Sequence, residues 1–315
     1  MTFFTKSSKT LTLAALAALV LASQASAAPA NSGSAPEPVA KLVAVQESGS
    51  AAKVFEDFQK MLKKTGQLPA AFNYLKAHIK KVSPYQASLM VLYLENAIKK
   101  EQPAMDKRFF ADAIQTAIGK VYKPGYSITD VLNRTKDNKL KALLKEAASS
   151  GYKLETAEGM FFTFVDYKSL QPFAKDVNAD IKAYIDIMTV ETEKAKLKDA
   201  ALVIGYQELV NRALAAEKFV SSYPNSNRTA QIKQLLAEYK SLTYYGANNT
   251  PLFDYDSKKI HPNAKLGYTN MITWNNPASS EYLTLLKKFM DLLANNDYKL
   301  TAEVEKFRKA NIINQ

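Results

Sequence analysis

Cysteine is missing from all 315 residues. Its absence excludes disulfides, thiol nucleophiles, thiolate metal sites and a membrane anchor through an acylated cysteine. Histidine is scarce: His78 and His261 are the only two. No H-E-x-x-H couples them, so a two-histidine metal site would need the fold to bring them together. His78 falls at the basic end of a helical stretch, where an imidazole suits the terminal carbonyls, and His261 precedes Pro262 in a loop. The nucleophile elbow G-x-S-x-G is also absent. Ser150-Gly151-Tyr152-Lys153 spells S-x-x-K and Lys64-Thr65-Gly66 spells K-T-G. They stand in the reverse order to that of penicillin-recognising enzymes, and both read as turns. No cofactor or metal is expected from this inventory.

Long hydrophobic runs are lacking too. The one uncharged apolar stretch, Leu11 to Ala22, follows Lys6 and Lys9 and precedes Ala25-Ser26-Ala27. About a dozen apolar residues fall short of the roughly 20 that a bilayer span requires. The pattern is that of an export signal (residues 1–27) cleaved before Ala28. It predicts a protein working outside the cytoplasm, secreted or held at the cell envelope, with no transmembrane segment in the mature chain. Residues 28–51, rich in Ala, Pro, Ser and Gly, have little apolar bulk to offset their ordering entropy and read as a disordered linker with a short element at Lys41–Val45.

From residue 52 onward, sustained period-two alternation is absent and helical spacing is present. Val54, Phe58, Met61 and Leu62 recur at i, i+4, i+7 and i+8. Ile232, Leu235, Leu236 and Tyr239 form a second stripe, and Tyr282, Leu285, Leu286, Phe289 and Leu293 a third. Ser83-Pro84-Tyr85-Gln86 is a capping box opening a helix expected to run to about Lys100, ahead of Pro103. Asp199 is the expected cap of a helix through Val220 that Tyr223-Pro224 closes. Met160–Val165 is the single strand candidate. The fold class expected is all-α, an irregular multi-helix bundle of helical hairpins. A basic part (52–150) and a second part (151–315) either form two domains or one continuous unit.

Three stretches share a corner chemistry: Lys64–Ala71, Ala148–Glu158 and Ala294–Glu303. Each places turn formers and a leucine between two helices, with Pro69, Thr156 or Thr301 opening the second. A fourth, Ala216 to Ser226 with the helix after it, carries Phe219 and Tyr223-Pro224-Asn225-Ser226. It resembles the junction of tetratricopeptide-like hairpins found in cell-envelope scaffolds. That family repeats about every 34 residues. Here the motif occurs once, so the resemblance implies only the local corner, a helix ending at Tyr-Pro-x-Ser and an antiparallel partner.

Charge is unevenly spread. Residues 52–150 hold 18 Lys and Arg against 9 Asp and Glu, whereas residues 151–315 hold 21 against 19. The imbalance points to an anionic partner for the first part, read through Lys63, Lys64, Lys80 and Lys81. No compact basic run with interleaved aromatics marks a nucleic-acid groove. The region Tyr244–Pro277, with Tyr255, Tyr268 and the single tryptophan Trp274 among Gly, Asn, Asp and Pro, reads as a long aromatic loop. Its Tyr255 and Trp274 would stack on a sugar or partner, or the loop's rings would pin it to the helical body. Asp254 and Asp256 lack the further ligands of a calcium loop.

Together these features predict a non-enzymatic exported helical protein that binds an anionic cell-wall polymer, an acidic surface or another exported protein. The alternative is a wall-directed glycoside hydrolase. It would use Glu158 and Asp166, which bracket Phe161, Phe162 and Phe164, and would need the two carboxyls about 5–10 Å apart.

Overall fold

The computed structural model describes residues 39–313, with side chains from residue 50 to residue 312. The expected signal and the first part of the expected linker, residues 1–38, lie outside the described residues. A compact unit begins at Val45. The chain is dominated by helices, and among the described residues the strands form three two-stranded antiparallel pairs.

Helix α1 spans Val39–Leu62, so residues 39–51 of the expected linker are helical. Residues 39–48 hold no proline or glycine, and the helix passes through the single Gly49 into the Val54–Phe58 stripe that packs in the core. After a turn through Gly66, α2 (Leu68–His78) opens with Pro69 in its first turn, and buried Leu68 plugs the corner as the leucine pattern predicts. Helix α3 (Pro84–Phe109) starts at the predicted capping box: Ser83 accepts from the Gln86 amide and Gln86 reaches back to Ser83. It does not stop before Pro103. Pro103 faces solvent, so the carbonyl it leaves without an amide partner is open to water and the helix continues.

Helices α4 (Asp112–Gly119), α5 (Ile128–Arg134) and α6 (Asn138–Ser149) come next. The largest departure from the expected pattern lies just beyond them. Ala148–Glu158 is not a helical corner, because β1 (Tyr152–Ala157) pairs antiparallel with β2 (Met160–Val165), and Thr156 caps nothing. Two left-handed residues, Glu158 (φ 51°) and Gly159 (φ 77°), make the two-residue turn that twisted hairpins favour. One face carries Tyr152, Leu154, Phe161, Thr163 and Val165, all buried; Lys153, Met160 and Phe164 face outward. At the α6–β1 junction Gly151 adopts φ 82°, and a Cβ there would lie 2.7 Å from the Phe72 ring. The bend therefore accepts only glycine.

A 3-10 turn (Tyr167–Phe173) leads to α7 (Ala179–Glu193). Asp199 is not a helix cap: with Ala200 it forms the left-handed turn of a two-residue hairpin, β3 (Leu197–Lys198) and β4 (Ala201–Leu202). Helix α8 (Tyr206–Ser222) begins at Gly205 instead, and closes at Tyr223 as expected. Helix α9 (Thr229–Tyr245) returns along it, its corner tied by the Thr229 hydroxyl donating to the Tyr223 carbonyl.

The expected long loop 244–277 is largely regular. It resolves into the short pair β5 (Gly246–Ala247) and β6 (Thr250–Pro251), a bridge between Phe253 and Ile260, and α10 (Pro262–Trp274). Ala264, Gly267, Tyr268 and Met271 are a buried i, i+3, i+4, i+7 stripe with too little bulk to stand out among polar neighbours. Helices α11 (Glu281–Asn295) and α12 (Ala302–Arg308) end the body, with Thr301 accepting from the Val304 amide as predicted.

Two apolar clusters result. One runs from Val54 to Ile232, the other from Ile204 to Val304. Helices α8 and α9 serve both: Ala216, Phe219 and Ile232 enter the first, while Leu209, Ala213 and Tyr239 enter the second.

Candidate functional site

The hairpin decides where the two candidate carboxylates lie. Glu158 occupies its tip, and Asp166 follows Val165, which pairs with Tyr152 at its base. Six residues of strand at about 3.3 Å each hold them roughly 20 Å apart. They do not share a cleft. Glu158 is not in the first turn of a helix, as its sequence neighbours suggest, but in the β-turn. Asp166 caps the 3-10 turn by accepting from the Lys168 amide at 3.0 Å. Burial pushes the Asp166 carboxyl above its ordinary value despite that bond.

The two histidines also take local roles. Nδ1 of His261 accepts from the Asn263 amide at 3.3 Å and so caps α10. The His78 ring packs 4.3 Å from that of Tyr74 at the end of α2. Asp254 Oδ1 accepts from the amides of Asp256 and Ser257 and from the Ser257 hydroxyl, which makes the D-x-D pair turn chemistry. No group of three potential metal ligands exists among the described residues.

The lysines singled out from sequence are exposed and split into two pairs. Lys63 and Lys64 precede α2, and Lys80 and Lys81 follow it. Eleven helical residues at 1.5 Å each put roughly 16 Å between the pairs, twice the Debye length of about 8 Å at physiological ionic strength. Tyr255 and Trp274 are likewise exposed, at 69% and 66%, but on different elements, Tyr255 in the turn closed by the Phe253–Ile260 bridge and Trp274 at the end of α10, whereas Tyr244, Phe253 and Tyr268 are buried and pin the region down.

How the acids are used matters more than where any one lysine sits. In residues 52–150, Glu56, Asp57, Glu95 and Glu146 form ion pairs with Lys60, Lys53, Lys99 and Arg108. Asp130 and Asp137 cap α5 and α6, Glu101 accepts from the Gly66 amide, and Asp106 accepts from Thr163. Only Asp112 stands without such a bond among the described residues. Four of the 18 cations of this part therefore meet an acid, against at least ten of 21 in residues 151–315. Glu95 is buried, Glu56, Asp57 and Glu146 meet their cations at the surface, and every acid of the basic part except Asp112 is engaged, so the uncompensated charge of its surface is positive.

Sequence reasoning missed the densest polar cluster among the described residues. Glu95, 1% exposed, accepts hydrogen bonds from the Tyr167 and Tyr184 hydroxyls and pairs with Lys99 at 2.5 Å and Arg228 at 2.7 Å. Burial pushes its carboxyl upward, but Lys99 and Arg228 outweigh that and hold it below the ordinary carboxylate value. Burial and the adjacent Glu95 push both phenols well above theirs. The Arg228 guanidinium also lies over the Tyr184 ring. A carboxylate so enclosed cannot touch a substrate. It ties α3 to α7 and to the start of α9. The signal was legible: Glu95 lies between Val91 and Ile98 on the apolar stripe of α3, where an acid demands partners.

The described surface also carries an open groove of about 680 Å³ between α4 and the α5–α6 junction. Its rim includes Lys120, Arg134 and Lys136, all exposed. No protein family model, curated protein or solved structure matches the chain.

Proposed function

We propose that this protein is an exported, non-enzymatic helical protein that binds an anionic polymer or acidic surface at the cell envelope through residues 52–150. The observation that carries this reading is the disposition of charge. Fourteen cations of this part have no acid in ion-pair reach among the described residues, because its nine acids are half as many as its cations and, Asp112 apart, are engaged in four ion pairs, in helix caps or in hydrogen bonds to backbone amides. The A-x-A signal pattern supports action outside the cytoplasm. The separation of Glu158 from Asp166 removes the geometric support for hydrolysis by that pair.

The attraction should be long-ranged and salt-sensitive. Titration of the protein with inorganic polyphosphate, and with vesicles of phosphatidylglycerol and phosphatidylcholine in equal parts, tests it. At least one of the two should bind at low salt and weaken at least tenfold at physiological salt. Absence of binding to both, or binding indifferent to salt, returns these lysines to ordinary solvated surface.

A further inference from the structure

Residues 120–145 are strongly one-sided, with seven bases against Asp130 and Asp137. Both acids are committed. Asp130 accepts from the amide and hydroxyl of Ser127, and Asp137 Oδ1 accepts from the amides of Lys139 and Leu140. The groove between α4 and the α5–α6 junction opens within this stretch. Ala113 and Ala117 give it a floor of small side chains, and Lys120, Arg134 and Lys136 stand along it. None of these three has a carboxylate in ion-pair reach among the described residues. Asp112 and Asp137 also line the groove, leaving a formal excess of one positive charge.

Arg134 is the telling residue. Its guanidinium lies 4.6 Å from the centroid of the Tyr126 ring. An arginine held by a ring rather than by an acid is oriented, yet keeps its N–H donors for a ligand. A planar fork with free donors beside two lysines matches the oxygens of a phosphate, and an open trough accepts a chain of them where a flat surface would not.

We propose that this groove is a phosphate-binding site for a linear polyanion, in which Arg134 grips one phosphate and Lys120 and Lys136 attract its neighbours. The inference rests on the function proposed above and goes further by naming the site and the ligand chemistry.

Inorganic polyphosphate is the probe, measured calorimetrically on the full chain, with circular dichroism confirming that each variant is folded. The double change Arg134→Gln and Lys136→Gln should weaken binding at least tenfold. The paired change Lys218→Gln and Lys233→Gln, which removes the same charge from the exposed surface of the balanced part, should weaken it less than threefold. Ala113→Phe fills the exposed floor without altering charge, and should also weaken binding severalfold. If polyphosphate binds but the two double variants behave alike, or Ala113→Phe binds as tightly as wild type, the groove is not the site and only the general reading survives. If the vesicles bind and polyphosphate does not, the protein adsorbs to a surface and the groove assignment falls. If neither binds, the functional reading itself falls, and this inference with it.

Discussion

Glu95 shows what one residue can demand of a fold. A carboxylate this buried is tolerable only with its charge and lone pairs answered, and here two phenols, a lysine and an arginine answer them. Arg228 stands at the start of α9, so the tie joins residues 133 positions apart. Arg228→Ala should destabilise the protein by about 3 kcal/mol, read by urea denaturation, because it strips a buried anion of one cation. The same site sets a pH dependence. The Glu95 carboxyl is held below the ordinary 4.5, so its contribution is fully present above that pH and is lost as pH falls through the lowered folded value. The stability difference between wild type and Glu95→Gln should be constant at neutral pH and shrink in acid below about 4.5. A difference that grows in acid would mean that the carboxyl is held high instead.

At the scale of elements, the β1–β2 hairpin owes its survival in a helical protein to three side chains. A two-stranded ribbon is marginal alone and leaves an unpaired edge. On the outer edge of β2, Gln115 accepts from the Phe161 amide at 2.9 Å and donates to its carbonyl at 2.7 Å. Two residues along the strand, Asp106 accepts from the Thr163 amide and Gln102 donates to the Thr163 carbonyl. These side chains of α3 and α4 substitute for a third strand. Gln115→Ala leaves both Phe161 backbone groups without a partner, and should cost about 1–3 kcal/mol. Amide exchange at Phe161 should accelerate more than exchange within α11. Equal protection in the variant would show that the edge needs no such substitute.

At the scale of the whole described body, α8 and α9 couple the two apolar clusters. On α8, Arg212, 5% exposed, pairs with Glu208 of the same helix and donates to the Lys194 carbonyl at the end of α7. Residues 52–150 by themselves would lose Tyr152, Leu154, Tyr167 and Tyr184 from the first cluster, each buried there. That fragment should therefore bind hydrophobic dye and be cut rapidly by protease. A fragment of residues 45–245 keeps the first cluster whole and should resist protease, although it still binds dye through the second-cluster face of α8 and α9 (Leu209, Ala213, Tyr239) that it leaves bare. A stable, protease-resistant 52–150 fragment would establish the basic part as a domain in its own right.

What the linear order determined is the local chemistry. The stripes of α1, α9 and α11, the box at Ser83, the corners at Leu68 and Thr301, and the stop at Tyr223 all arise from spacing and capping, interactions that span a few residues. The hairpin was partly written there too, in the alternation of Tyr152-Lys153-Leu154-Glu155 and a Glu-Gly turn. Its brevity hid it, because six residues fit a helix corner as well as a strand until Gln102, Asp106 and Gln115 arrive to cover the edge. The same limit hid α10, whose buried stripe of Ala264, Gly267 and Tyr268 has too little bulk to be read as apolar. Tertiary structure alone decided which charges are spent. Lys99 and Lys100 look alike in sequence, yet one meets Glu95 and the other meets no acid among the described residues. Glu158 and Asp166 lie eight positions apart, and the hairpin holds them at its two ends. Charge pairing and site geometry depend on distances across the fold, where electrostatic energy falls with separation in space and takes no account of separation along the chain.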